Sequence, residues 1–165
     1  MVEFNLDAVE GDVIREEGGG KPKVQEGRGH FLIIGAEEAF DYIKVAYEVL
    51  AYSDEEGVGQ HLQERFYTNG KYAHRGVLLA RACGIISDDE IKISQAKKLP
   101  LVFSPESLYA KTFCCSIKHR AGKNGGMFAN LGWDFLSPVA GKAAEYPVDE
   151  EFVKAVGAEA ADVPF

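Results

Sequence analysis

The sequence predicts a mainly β domain of the α+β class: five strands, a helix inserted between strands 3 and 4, and acidic chain ends. Three observations predict it. Apolar residues alternate with a period of two through three successive segments between residues 30 and 68. The spacing becomes helical after Asn69 and Gly70. A second alternating pair then flanks a glycine-rich turn. At 165 residues the chain suffices for one self-standing core plus appendages.

Residues 1–26 alternate only weakly, at Val2, Phe4 and Leu6, before Gly18, Gly19, Gly20, Lys21 and Pro22; they read as an arm and linker. The Gly-Gly-Gly-Lys run is no phosphate loop, because it lacks the second glycine spacing, the preceding buried strand and the following helix. From His30 onward, Phe31, Ile33 and Gly35 alternate with Leu32, Ile34 and Ala36, which suits a strand buried on both faces at its centre. Ile43, Val45, Tyr47 and Val49 oppose Lys44, Ala46 and Glu48 in a half-buried second strand. Asp54, Glu55, Glu56 and Gly57 turn the chain into Val58–Thr68, where Leu62, Glu64 and Phe66 oppose His61, Gln63, Arg65 and Tyr67.

Helical spacing follows at Ala73, Val77 and Ala80, widened by Leu78, Leu79, Ala82 and Cys83 and stopped at Gly84. Ser87 with Glu90 is a capping box, so a second short helix runs toward Lys97, and Asp88, Asp89 and Glu90 are helix-start carboxylates. Ser104 and Pro105 mark a helical turn. In Lys111–Arg120, Phe113, Cys115 and Ile117 oppose Thr112, Cys114, Ser116 and Lys118. The turn 121–126 then leads into a strand over Met127–Leu136, completing a hairpin. Beyond Pro138 the chain is Ala- and Glu-rich, with a short helix at Asp149–Val156 ended by Gly157.

Charge is distributed unevenly. Residues 145–165 hold six acids against one base and residues 1–26 seven against three; removing these ends from the net charge of −8 leaves +1 on residues 27–144. Basic patches on that middle domain can therefore meet phosphates, because fields are screened beyond about 8–10 Å at physiological salt. The three cysteines, Cys83, Cys114 and Cys115, are odd in number, and neighbours on a strand point to opposite faces, which argues against a disulfide framework. No Cys-x-x-Cys or His-x-x-x-His spacing accompanies His30, His61, His74 and His119, so no metal and no cofactor are assigned. An apolar run of bilayer length and a secretory signal are both absent from the sequence, so a cytoplasmic location is expected, that of the bacterial host if the chain is phage-encoded.

Three strands, a helix and two strands is the element order of an OB-fold barrel. Such a barrel binds single strands through cations that follow the phosphates and exposed rings on which bases stack. Lys44, His61, Arg65 and Tyr67 lie opposite the expected core on strands 2 and 3, and the hairpin adds Lys118, Arg120 and Lys123 with Phe128 and Trp133. A one-residue register slip exchanges inward and outward rings. No nucleophile sits in a triad or elbow context, so no catalytic residue is assigned.

The terminal Asp162, Val163, Pro164 and Phe165, behind an acidic stretch, resemble the C-terminal tip of bacterial and phage single-stranded DNA-binding proteins. That resemblance implies a flexible tail over 145–165 whose ring and carboxylate recruit replication and recombination enzymes, with Pro164 lowering the ordering cost of docking. Residues 27–138 are also similar, in Phe31–Ile34, Ile43–Val49, Gly57–Phe66, Leu78–Gly84 and Lys111–Ile117, to a family of small OB-like phage proteins of unassigned function. The expectation is a non-enzymatic, sequence-tolerant single-stranded DNA-binding protein of phage or bacterial replication, recombination or repair. Its parts are an arm (1–26), an OB-like domain (27–144) and a partner-binding tail (145–165); self-association stays open. The alternatives are an OB-like protein-interaction adaptor without strong DNA binding, and a nuclease using Asp88, Asp89 or Glu90 with a divalent metal.

Overall fold

The computed structural model describes residues 24–122, 125–139 and 145–154. Five strands form one open antiparallel sheet: β1 (Gly27–Glu38), β2 (Tyr42–Tyr52), β3 (His61–Tyr67), β4 (Thr112–Ala121) and β5 (Met127–Leu131), in the spatial order β3-β2-β1-β4-β5. Two helices, α1 (His74–Ala82) and α2 (Asp88–Lys97), lie between β3 and β4, followed by a 3-10 turn at Pro105–Leu108. The order of elements is the one the alternation predicts.

β1 takes the centre because it is buried on both faces, with Phe31 and Ile33 in the core and His30 enclosed on the other side. Gly29 is required where β1 meets the end of β2, since a Cβ there would lie 2.6 Å from Tyr52 Cδ1 and 2.7 Å from the Ala51 carbonyl. The inward residues of every strand converge: Val45, Tyr47 and Val49 of β2, Phe66 of β3, and Phe113, Cys115 and Ile117 of β4. Phe31 meets Tyr47 edge-on at 5.3 Å between ring centroids, an arrangement that the ring quadrupole favours, and lies tilted against Phe113 at 5.4 Å.

α1 packs against β3 and β4. It buries Gly76, Leu79, Ala80 and Ala82, so its seat centres on Leu79, whereas Val77, at the middle of the predicted stripe, is only half-buried. Both stripes are apolar, and contact with the sheet decides between them. The capping box of α2 is present as predicted: Ser87 Oγ accepts from Glu90 N at 3.2 Å, and the Glu90 carboxylate accepts from Ser87 N at 3.4 Å.

The edges of the sheet, β3 and β5, are joined by side chains. Glu64, buried on the core side of β3, accepts hydrogen bonds from Leu131 N and Asn130 Nδ2 of β5, each at 3.1 Å. Arg75 of α1 pairs with that carboxylate at 2.8 Å and donates to the Leu131 carbonyl. The N–H and C=O that Leu131 would offer to a neighbouring strand are thus taken by a carboxylate and a guanidinium.

The hairpin and the segment after it differ from what the sequence predicts. β5 ends at Leu131 rather than continuing to Leu136, because the Asp134 carboxylate takes Ser116 N (3.1 Å) in place of a strand neighbour. Strand-like pairing resumes only at Leu136, which exchanges both backbone bonds with Cys114. Residues 145–154, expected to begin a free tail, lie on the sheet: Asp149 N donates to His30 Nδ1 at 3.1 Å and Tyr146 donates its hydroxyl proton to Asp134. Residues 155–165, with Asp162, Val163, Pro164 and Phe165, fall outside the described residues. At the other end the core begins before residue 27, since Val24 is buried and its carbonyl lies 2.8 Å from His119 Nε2.

Arg75→Ala leaves the Glu64 carboxylate buried without its cation and is expected to cost about 3–5 kcal/mol in urea unfolding. The double variant Glu64→Leu/Arg75→Met, which removes both charges, is expected to lose much less than the single change.

Candidate nucleic-acid interface

Strand alternation sends the even-numbered residues of β2 away from the core, and the β2–β3 register aligns them with the odd-numbered residues of β3. Tyr42 stands opposite Tyr67, Lys44 opposite Arg65, and Glu48 opposite His61. Tyr67 is 43 % exposed, and Lys44, Arg65 and His61 are exposed as well. The Arg65 guanidinium lies 4.8 Å over the Tyr42 ring, and the Tyr42 and Tyr67 rings meet edge-on at 6.0 Å. Lys44 and Arg65 are like charges directly opposite each other, an arrangement that destabilises a sheet unless an anion shares it. Glu37 of β1, opposite Lys44, supplies one carboxylate. His61 pairs with Glu48 at 3.0 Å.

β4 and β5 present a second set. Lys118 stands opposite Asn130 and Arg120 opposite Phe128; Lys118, Arg120 and Phe128 are exposed. Lys123 lies outside the described residues. Because Glu64 holds Asn130 and Leu131, the β3 edge carrying Arg65 adjoins the β5 edge carrying Phe128.

Trp133 sits in the irregular stretch where β5 leaves the ladder, and bulges of this kind re-aim side chains. Gly132 permits it, since a Cβ there would lie 2.8 Å from Asp134 Oδ1 and collide with Ser116 Oγ. The indole is 45 % exposed and packs against His74 at 4.6 Å and Tyr72 at 6.2 Å, with Arg75 beneath it. His74 belongs to this aromatic cluster, while Arg81 pairs with Asp88 at 3.6 Å.

Tyr42, half-buried, escapes the sequence reading although it shares the parity of Lys44. Phe40, fully exposed in the short β1–β2 connection, and Tyr72, exposed between β3 and α1, stand where no periodicity operates. Phe31, Tyr47, Phe66 and Phe113 are core, as alternation predicts.

The central strip of the outward sheet face is occupied by residues 145–154. Arg28 is held there by Glu145 at 3.5 Å and by the Tyr146 ring at 5.2 Å. Burial disfavours the Asp134 carboxylate, but hydrogen bonds from Ser116 Oγ, Tyr146 and Ser116 N outweigh it and hold its carboxyl at about 2. Burial disfavours the imidazolium of His30 and lowers its pKa to about 4, against a smaller opposing pull from Asp149. Burial also raises the thiols, Cys114 to about 11 and Cys83 to about 12, leaving them poor nucleophiles at neutral pH. Among the described residues no three His, Cys, Asp or Glu side chains gather as a metal site, and no helix is long and apolar enough to cross a membrane.

Both shifted groups tie stability to pH in the same direction. His30 titrates lower when folded than its ordinary 6.5, so its contribution is complete above that value and is lost as pH falls toward about 4. Asp134, lowered from 3.8 to about 2, gives up its contribution across that lower window. Urea unfolding at stepped pH is expected to show both stages, with Asp134→Asn flattening the lower one and His30→Leu the upper. The chain matches no protein-family model and no curated protein.

Proposed function

We propose that this protein binds single-stranded DNA without sequence preference, in phage or bacterial replication, recombination or repair, through an OB-type barrel. The observation that carries this reading is the outward face of β2 and β3, where Tyr42, Lys44, Arg65 and Tyr67 stand side by side. OB folds bind oligonucleotides on the face of strands 2 and 3 and with the loops joining strands 1 to 2 and 4 to 5. The corresponding segments here carry Phe40, between β1 and β2, and the glycines Gly122, Gly125 and Gly126, between β4 and β5. The order β3-β2-β1-β4-β5 is that of a five-stranded barrel opened between strands 3 and 5, the two edges that Glu64 and Arg75 link.

The chemistry is that of a single-strand platform. Tyr67 and Phe128 offer π-faces worth about 1–3 kcal/mol per stacked base, and Lys44, Arg65, Lys118 and Arg120 offer phosphate contacts that each contribute about 0.7 to the log-log salt slope. Trp133, with Tyr72 and His74, extends the ring surface and serves as a fluorescent reporter. Asp162, Val163, Pro164 and Phe165 recruit partner enzymes in this reading, which for those residues rests on sequence alone.

The adaptor reading draws on the exposed Phe40, an apolar anchor for a protein partner as well as for a base. One titration separates the two. Binding of oligo-dT, followed by Trp133 fluorescence, is expected to exceed binding of duplex of equal length and to weaken with salt. Tyr67→Ala is expected to cost about 1–3 kcal/mol of affinity at every salt concentration. Arg65→Ala is expected to reduce the salt slope by about 0.7. An absent or salt-independent response sinks the reading in favour of the adaptor.

A further inference from the structure

α2 has little packing of its own. None of its ten residues is fully buried, and only Ile91 and Ser94 turn partly inward. A helix this short is marginal in water and draws most of its stability from an apolar face laid on something. The Ser87 capping box and the first-turn acids support its start but leave its outer face bare. Ile93, about 200° around the helix from Ile91 at the ordinary helical pitch, is 53 % exposed. Beyond the last turn, Leu99 and Val102 are exposed as well, Val102 at 86 %.

The charges around Ile93 are antisymmetric, acid before it and base after. Asp89, Ile93 and Lys97 lie four apart and make one stripe, flanked by Glu90 on one side and Ala96 on the other. We propose that α2 pairs antiparallel with α2 of a second copy of this chain, around a two-fold axis beside Ile93. In an antiparallel pair, residues equally far before and after the axis face each other. Asp89 then meets Lys97 of the partner subunit, and Ile93 meets its own copy. By symmetry each contact occurs twice.

Self-pairing is favoured over an unrelated partner because acids before and a base after a central apolar residue are what a two-fold contact requires. A parallel arrangement sets like against like, and the acids of the stripe disfavour a nucleic acid. Antiparallel helix dipoles add to the attraction. The inference rests on α2 alone and is independent of the strand-binding reading.

Sedimentation equilibrium of the full chain tests it. The wild-type chain is expected to dimerise. Asp89→Lys and Lys97→Asp, each alone, place like charges together twice and are expected to weaken the dimer by about tenfold or more. Mixing the two variants is expected to restore association as a one-to-one heterodimer, since Lys then faces Asp at both contacts; a merely unfolded variant cannot be rescued in this way. Ile93→Glu is expected to abolish association, with far-UV circular dichroism confirming the fold. A wild-type chain that stays monomeric up to about 1 mM, single variants that dimerise as well as wild type, or a mixture that remains monomeric would each overturn the proposal.

Discussion

The buried pair of Glu64 and Arg75 is the constraint on which the rest of this structure depends. An edge strand normally exposes backbone donors and acceptors to water or to another chain. Here Glu64 of β3 and Arg75 of α1 supply partners to the Leu131 N–H and C=O of β5, so one carboxylate and one guanidinium tie the far edges of the sheet to each other and to the helix. The same guanidinium lies 4.9 Å over Phe66 and 5.6 Å over Phe135, so the charge rests on core rings as well as on its counter-ion. Low dielectric strengthens such a network when it is satisfied and penalises it when it is broken.

From that junction follows the placement of the candidate site. Glu64 points inward because it carries the junction, and alternation then turns Arg65 outward beside Lys44 and Tyr42. On the far side of the junction the ladder breaks after Leu131, and the break lets Trp133 emerge against His74 and Tyr72. The outward face is therefore organised by inward contacts. Its centre, over β1 and β4, is closed by Tyr146 and Asp149, which take Asp134 and His30 as partners; the exposed Lys44, Arg65, Lys118 and Arg120 lie toward the β2–β3 and β4–β5 margins.

Much of this was legible in the chain. A period of two names both faces of a strand at once, so Ile43, Val45 and Tyr47 are read as core and Lys44 and Arg65 as surface from a single regularity. The capping box at Ser87 and the 3-10 turn at Pro105 are equally local, since the side chain and backbone groups concerned lie within a few residues. Glu64 marks the limit of that reasoning. Alternation places it inward, yet the reason a carboxylate is tolerated there is Arg75 on the next helix and Asn130 and Leu131 some sixty-six residues away. Trp133 is similar: its partial exposure depends on a side chain, Asp134, displacing a strand partner, which no periodic pattern encodes.

The sequence by itself determined which elements form, in what order, and which way most strand side chains face, because these are short-range consequences of alternation, capping and turn chemistry. Only the tertiary structure decided that β1 lies between β2 and β4, that β3 and β5 are linked through Glu64 and Arg75, that α1 seats on Leu79 rather than Val77, and that residues 145–154 lie on the sheet. Each of those outcomes is a choice among partners distant in the chain. Burial and hydrogen-bond satisfaction discriminate between such partners only once the chain has brought them together.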